Sequence, residues 1–174
     1  MHIEIEPRLQ LDHMLLQTRR QLIDFSIMAD TKANILLSIS SVITTLVLTR
    51  VTDPKLMSAA LVLLCFLLPT VVMALLTLIP NIRTFGKQKR SVTDPDFNPL
   101  FFGDYASVKH DDYMTHMEEV LKDPSRTYEI QLNELYFAGR YLQYTKYNYV
   151  KLGYIFFFIG IISSSIVYVI ENIF

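Results

Sequence analysis

The chain has no tryptophan, one cysteine and five glycines among 174 residues, and only 19% of its residues are charged. Each scarcity excludes something. Cys65 lies inside an apolar run, so neither a disulfide framework nor a cysteine-based zinc site can form within one chain. Gly86, Gly103, Gly139, Gly153 and Gly160 stand far apart, so no glycine-rich loop is available to cradle a phosphate. The formal net charge of −1 gives no electrostatic case for a nucleic-acid partner, and none is expected. His116 follows Asp112 by four residues on one helical face, with His110 and Asp111 just before. A hydrolytic metal site draws three or four ligands from separate elements, so these read as solvated surface residues. No catalytic residue, metal or cofactor is expected, and the chain does not read as an enzyme.

What is abundant is apolar surface. The composition is 51% hydrophobic and the mean hydropathy is +0.30. The apolar residues are gathered into three uncharged blocks, 33–49, 56–82 and 152–170, of 17, 27 and 19 residues. A helix needs roughly 17–25 apolar residues to cross a bilayer, so all three read as membrane spans. The first is no secretory signal, because some thirty residues precede it and no small-residue cleavage pattern follows; the N-terminus is expected to be retained.

Lysine and arginine then set the topology. Four lie in 1–32, two in 50–55, ten in 83–151 and none after 170. Positive charge favours the cytoplasmic side. The expected layout is a cytoplasmic amphipathic helix over 1–32, a first span 33–49, an external loop 50–55, a second span 56–82, a cytoplasmic segment 83–151, a third span 152–170 and an external tail 171–174. Arg83, Lys87, Lys89 and Arg90 form the strongest anchor, a stop-transfer cluster in contact with lipid headgroups.

Two spans read as continuations of long helices. Leu11, Leu15, Leu22, Phe25 and Ala29 recur at steps that place them on one face. Asp123 followed by Pro124 is an N-cap with proline at the first helical position, and no proline interrupts the chain after it. Ile130, Leu132, Leu135, Ala138, Leu142, Tyr149 and Leu152 make a second stripe. Segment 94–99 is dense in turn formers, and a short helix is expected over 111–121. The expected fold is an all-α membrane protein with three transmembrane helices. The first and third extend into cytoplasmic stalks that pack against each other or another subunit as an oligomeric bundle.

Several residues could carry function. Asn34, Ser38, Ser41 and Thr45 form a polar stripe along the first span, suited either to helix packing or to lining a water-filled path. Asp30 and Lys32 stand at the mouth of that span, where a boundary carboxylate and a snorkelling lysine are also ordinary. Phe101, Phe102, Gly103, Asp104 and Tyr105 could stack a base and hydrogen-bond a ring or ribose, or plug a gap between helices. Arg140, Tyr141, Tyr144 and Lys146 could face a nucleotide or a headgroup, while Tyr147, Tyr149 and Tyr154 fit an interfacial tyrosine belt.

The ordered set of Ala29-Asp30-Thr31-Lys32-Ala33 running into Ile35-Leu36-Leu37-Ser38, then Phe101-Phe102-Gly103, then Leu135-Tyr136 and Lys146-Tyr147 before a last span, resembles the transmembrane effector family of Pycsar antiphage defence. The resemblance covers nearly the whole chain. It implies a partner cyclase that makes a cyclic pyrimidine mononucleotide, cCMP or cUMP, on infection, and an effector that then impairs the bacterial inner membrane and halts the cell. Its matching positions are Asp30, Lys32 and Ala33, Phe101, Phe102 and Gly103, and Lys146 with Tyr147. A cyclic mononucleotide carries one negative charge and one π face. Lys32, Arg140 and Lys146 with Phe101, Phe102, Gly103, Tyr105 and Asp30 are the expected ligand contacts. The other readings are a membrane scaffold whose stalks dock a protein partner and, less well supported because no span holds a charge, a small channel.

Overall fold

A computed structural model describes residues 7–79, 91–94 and 97–173. The basic cluster Arg83, Lys87, Lys89 and Arg90 lies outside the described residues. Among those described, every regular element is helical: α1 (Leu9–Leu48), α2 (Met57–Leu78), α3 (Phe102–Tyr105), α4 (His110–Lys122), α5 (Pro124–Tyr141), a π-helical segment (Leu142–Lys146) and α6 (Tyr147–Ile173). Three stretches among the described residues are long and apolar enough to cross a membrane: Leu9–Leu48, Met57–Leu78 and Pro124–Asn172.

The helix boundaries follow from local chemistry. α2 stops at Leu78, before the uncharged run ends, because Ile79 precedes Pro80 and takes an extended backbone (φ −67°, ψ 122°). α5 begins at Pro124, and the Asp123 carboxylate accepts from the backbone N–H groups of Ser125 (2.9 Å) and Arg126 (3.3 Å), the cap that the sequence predicts. The π-helical segment was not expected. It widens the last helix by one residue, and helix formation continues through it into α6.

The contacts divide the chain into two units. One comprises Phe25–Pro80 and Tyr141–Phe174, the other Met1–Asp24 and Asn81–Arg140.

In the first unit, α1, α2 and α6 close on small residues. Ala29 and Ala33 of α1 are fully buried with Val150 of α6, and Leu36, Leu67, Ala74 and Phe157 make a second cluster. Gly153 and Gly160 of α6, seven residues apart, face their neighbours at close range. A Cβ on Gly160 would stand 2.6 Å from Phe66 Cβ, and one on Gly153 2.8 Å from Leu36 Cδ2. Backbones approach closely where side chains are small, and dispersion and helix-to-helix hydrogen bonds then hold them without a hydrophobic driving force. Ser164 Oγ donates to the Ala59 carbonyl (2.9 Å), such a bond between α6 and α2. Pro69 lies half-buried inside α2, and the helix runs on through it.

The second unit relies on polar pairs. Tyr128 OH donates to Asp12 Oδ1 (2.6 Å), and Arg19 pairs with Glu134. Leu15, Val120 and Tyr128 are among its buried residues. Within the expected stripes, Leu11 and Leu22 are half-buried, but Phe25, Leu132 and Ala138 are exposed. The face of α5 is turned by the Tyr128 and Glu134 pairs, which apolar periodicity does not register.

Candidate functional site

The expected site residues fall into two groups, each within its own unit. Asp30, Lys32 and Lys146 come together in the first unit. Lys146 closes the π-helical segment, and its ammonium donates to Asp30 Oδ1 (2.7 Å), Asp30 Oδ2 (2.8 Å) and Ser26 Oγ (2.8 Å). An ammonium has three protons. All three are used, and the Lys146 side chain is only 14% exposed. An anion reaching Lys146 must therefore displace Asp30.

Lys32 behaves differently. Its ammonium stands 5.9 Å from the centroid of the Tyr147 ring, a cation–π contact, and its side chain is exposed. Tyr147 OH donates to the Phe25 carbonyl (3.2 Å) and Tyr154 OH to the Lys32 carbonyl (3.4 Å). The two tyrosines thus tie α6 to α1, in addition to any interfacial role.

In the second unit the aromatic loop forms a compact turn. Phe101 lies against Phe102 at 5.1 Å between ring centroids, and Tyr105 against Tyr113 at 5.4 Å. A Cβ on Gly103 would lie 2.4 Å from Phe101 Cε1. Gly103 is thus required by ring contact and not by an unusual backbone, since none of the described residues has positive φ. Asp104 is buried and accepts from the Asn98 N–H (3.0 Å), so it closes its own loop, whereas the sequence reading offered it to a ligand. Phe102 and Tyr105 remain exposed. Arg140 lies 5.8 Å from the Tyr136 ring centroid. His116 packs edge-on against Phe97 (5.6 Å), and burial, with Arg126 nearby, holds its imidazole below the usual range.

The polar stripe points away from the chain's own helices. Asn34, Ser38, Ser41 and Thr45 are all exposed, while Ala29, Ala33, Leu36 and Ser40 form the buried face of α1. Ser41 and Thr45 satisfy their hydroxyls on the carbonyls of Leu37 (2.8 Å) and Ser41 (3.0 Å). The side chains of Asn34 and Ser38 make no hydrogen bond among the described residues. Packing within the chain is therefore not what the stripe serves.

Residues 14–171 match the family model described as Pycsar effector protein domain. The chain belongs to the Pycsar effector family. The match begins within α1 and ends within α6, so it takes in all three helices that can cross a membrane. Pycsar effectors act in antiphage defence through a cyclic nucleotide from a partner cyclase, and the family is one of effectors and not of known enzymes. No curated protein and no solved structure matches the chain.

In this Pycsar effector, sequence reasoning missed Ser26 as the third acceptor for Lys146, and Lys151 beside Lys32. One signal was present in the spacing. Buried Tyr128, half-buried Leu135 and buried Leu142 follow at steps of seven, Val150 comes after eight, and Phe157 after seven again. That single extra residue is the π-helical segment.

Proposed function

We propose that this Pycsar effector is a homo-oligomeric protein of the bacterial inner membrane, with its N-terminus and the 83–151 segment in the cytoplasm. It binds a cyclic pyrimidine mononucleotide, cCMP or cUMP, and answers by impairing the membrane in which it sits. The family match across residues 14–171 carries this reading. Three helices able to cross a membrane give the effector direct access to its target.

The chemistry of the exposed groups supports it. Phe102 and Tyr105 present ring faces on which a base can stack. Arg140 is an exposed cation for a phosphate, with Phe101 and Gly103 holding the aromatic turn. Self-association is supported by the outward stripe Asn34, Ser38, Ser41 and Thr45, because polar groups at membrane depth face another helix or a cavity. Met14, Leu16 and Ile23, about half exposed on the stretch of α1 before the uncharged run, offer apolar surface to a second copy. The nucleotide, by binding one arrangement of subunits better than another, shifts the population towards the arrangement that lines a path with the stripe.

The test is thermal unfolding of the detergent-purified protein with cyclic mononucleotides and cyclic dinucleotides, since a ligand that binds only the folded state raises the midpoint. A rise with one cyclic pyrimidine, lost in Phe102→Ala/Tyr105→Ala, is expected. A folded sample that responds to no nucleotide would transfer the function to a scaffold that docks a protein partner.

A further inference from the structure

Five residues of the first unit, Lys32, Tyr147, Val150, Lys151 and Tyr154, line an open groove of about 340 Å³. Its two ammoniums are uncompensated. Neither Lys32 nor Lys151 has a carboxylate partner among the described residues, and the carboxylate nearest in sequence, Asp30, is held in two-point contact by Lys146. Two like charges on one groove wall repel each other unless an anion sits between them.

The walls show which anion fits. Both tyrosine hydroxyls donate to carbonyls of α1, so the rings are fixed in place. Lys32 is the last charge before the uncharged run 33–49, and Lys151 the last before 152–170. The groove therefore opens where the bilayer's polar layer begins, and from Tyr154 the wall continues along the span through Phe158, stacked on it at 6.5 Å and 57% exposed. A cationic entrance followed by an apolar wall suits an anion that carries a hydrocarbon tail.

We infer that Lys32, Lys151, Tyr147 and Tyr154 form a binding site for the phosphodiester headgroup of an anionic phospholipid, whose acyl chain runs along Tyr154 and Phe158. This rests on the reading of 33–49 and 152–170 as membrane spans. It goes beyond that reading by separating two cation sets: Lys146 is occupied within the protein, and Lys32 with Lys151 hold lipid.

The experiment is native mass spectrometry of the full chain in detergent, titrated with phosphatidylglycerol or phosphatidylcholine. Two lysines near a headgroup predict a preference of roughly 30-fold for phosphatidylglycerol in the wild type. Lys32→Gln/Lys151→Gln removes the preference, Lys32→Arg/Lys151→Arg retains it, and Lys122→Gln leaves it unchanged. Both substituted lysines are exposed, and an unaltered unfolding midpoint verifies that the variants fold. Equal preference in the wild type and the double glutamine variant overturns the site, as does displacement of the bound lipid by a cyclic mononucleotide, which reassigns the cations to the free nucleotide. Alkaline carbonate extraction separates the premise from the site: release of the wild-type chain from membranes defeats the spans themselves, whereas a chain that stays inserted but shows no lipid preference defeats only the headgroup site.

Discussion

Each of the two units has its own way of holding its helices. In the first, α2 and α6 meet where side chains are missing, at Gly153 and Gly160, and Ser164 bonds across to the Ala59 carbonyl. In the second, α1 and α5 are joined by Tyr128 with Asp12 and by Arg19 with Glu134, while Phe102, Tyr105, Tyr136 and Phe137 stay exposed. The difference reflects two solvents. Among lipid tails there is no hydrophobic gain from helix contact, so shape decides. Outside lipid, polar pairs contribute modestly and specify register.

The largest expected effects strike the glycine contacts. Gly160→Ala places a Cβ against Phe66 Cβ, which cannot rotate away, and should cost about 1–3 kcal/mol, read as a lower unfolding midpoint in detergent. Gly153→Ala meets mainly the end of Leu36, which can move, so its cost should be smaller. If both were silent, the close packing of α6 would be wrong.

Next in size is the pair that fixes Lys146. Lys146→Met leaves Asp30 without its cation; because the Asp30 side chain is 37% exposed, water recovers part of the loss, and about 2 kcal/mol is expected. Asp30→Asn/Lys146→Met should be less damaging than the sum of the single variants, and a double-mutant cycle on unfolding free energies measures the coupling.

In the second unit, Tyr128→Phe removes one hydrogen bond to a carboxylate and should lower the unfolding midpoint by less than the Lys146 variant does. The Asp12 carboxylate holds the Tyr128 phenol above its usual pKa. A folded-state pKa raised in this way gives stability that is present below the ordinary tyrosine value and lost as pH rises through the folded value. The wild type should therefore lose stability in the alkaline range relative to Tyr128→Phe.

The smallest effect belongs to His116. Burial lowers its pKa on folding, so its contribution is full above the ordinary histidine value and falls as pH drops through it. Between neutral and mildly acidic pH, His116→Asn should lose less stability than the wild type in an unfolding series.

Much of this was legible in residues read locally. The three uncharged runs, the stop before Pro80 and the cap at Asp123 each follow from a few neighbours, because hydropathy, proline sterics and capping act over a turn or two. The family was legible in the ordered motifs from Ala29 to Tyr147. The aromatic turn was legible too, but not the job of Asp104, which reads as a free carboxylate until its bond to the Asn98 N–H is seen. The stripe from Asn34 to Thr45 was visible, but its direction was not, since a helical wheel does not say which face meets the neighbours.

The sequence by itself determined which segments can cross a membrane and where the helices of the last stretch begin, because these depend on sums over adjacent residues. Only the tertiary structure decided which lysine is spent and which is available. Lys146 and Lys32 look alike in sequence, each a lysine near the start of a span. Lys146 is paired with Asp30, 116 residues away along the chain, while Lys32 stands over the Tyr147 ring with no carboxylate partner among the described residues. Charge compensation is a short-range interaction in space, and no local pattern encodes a partner that far off.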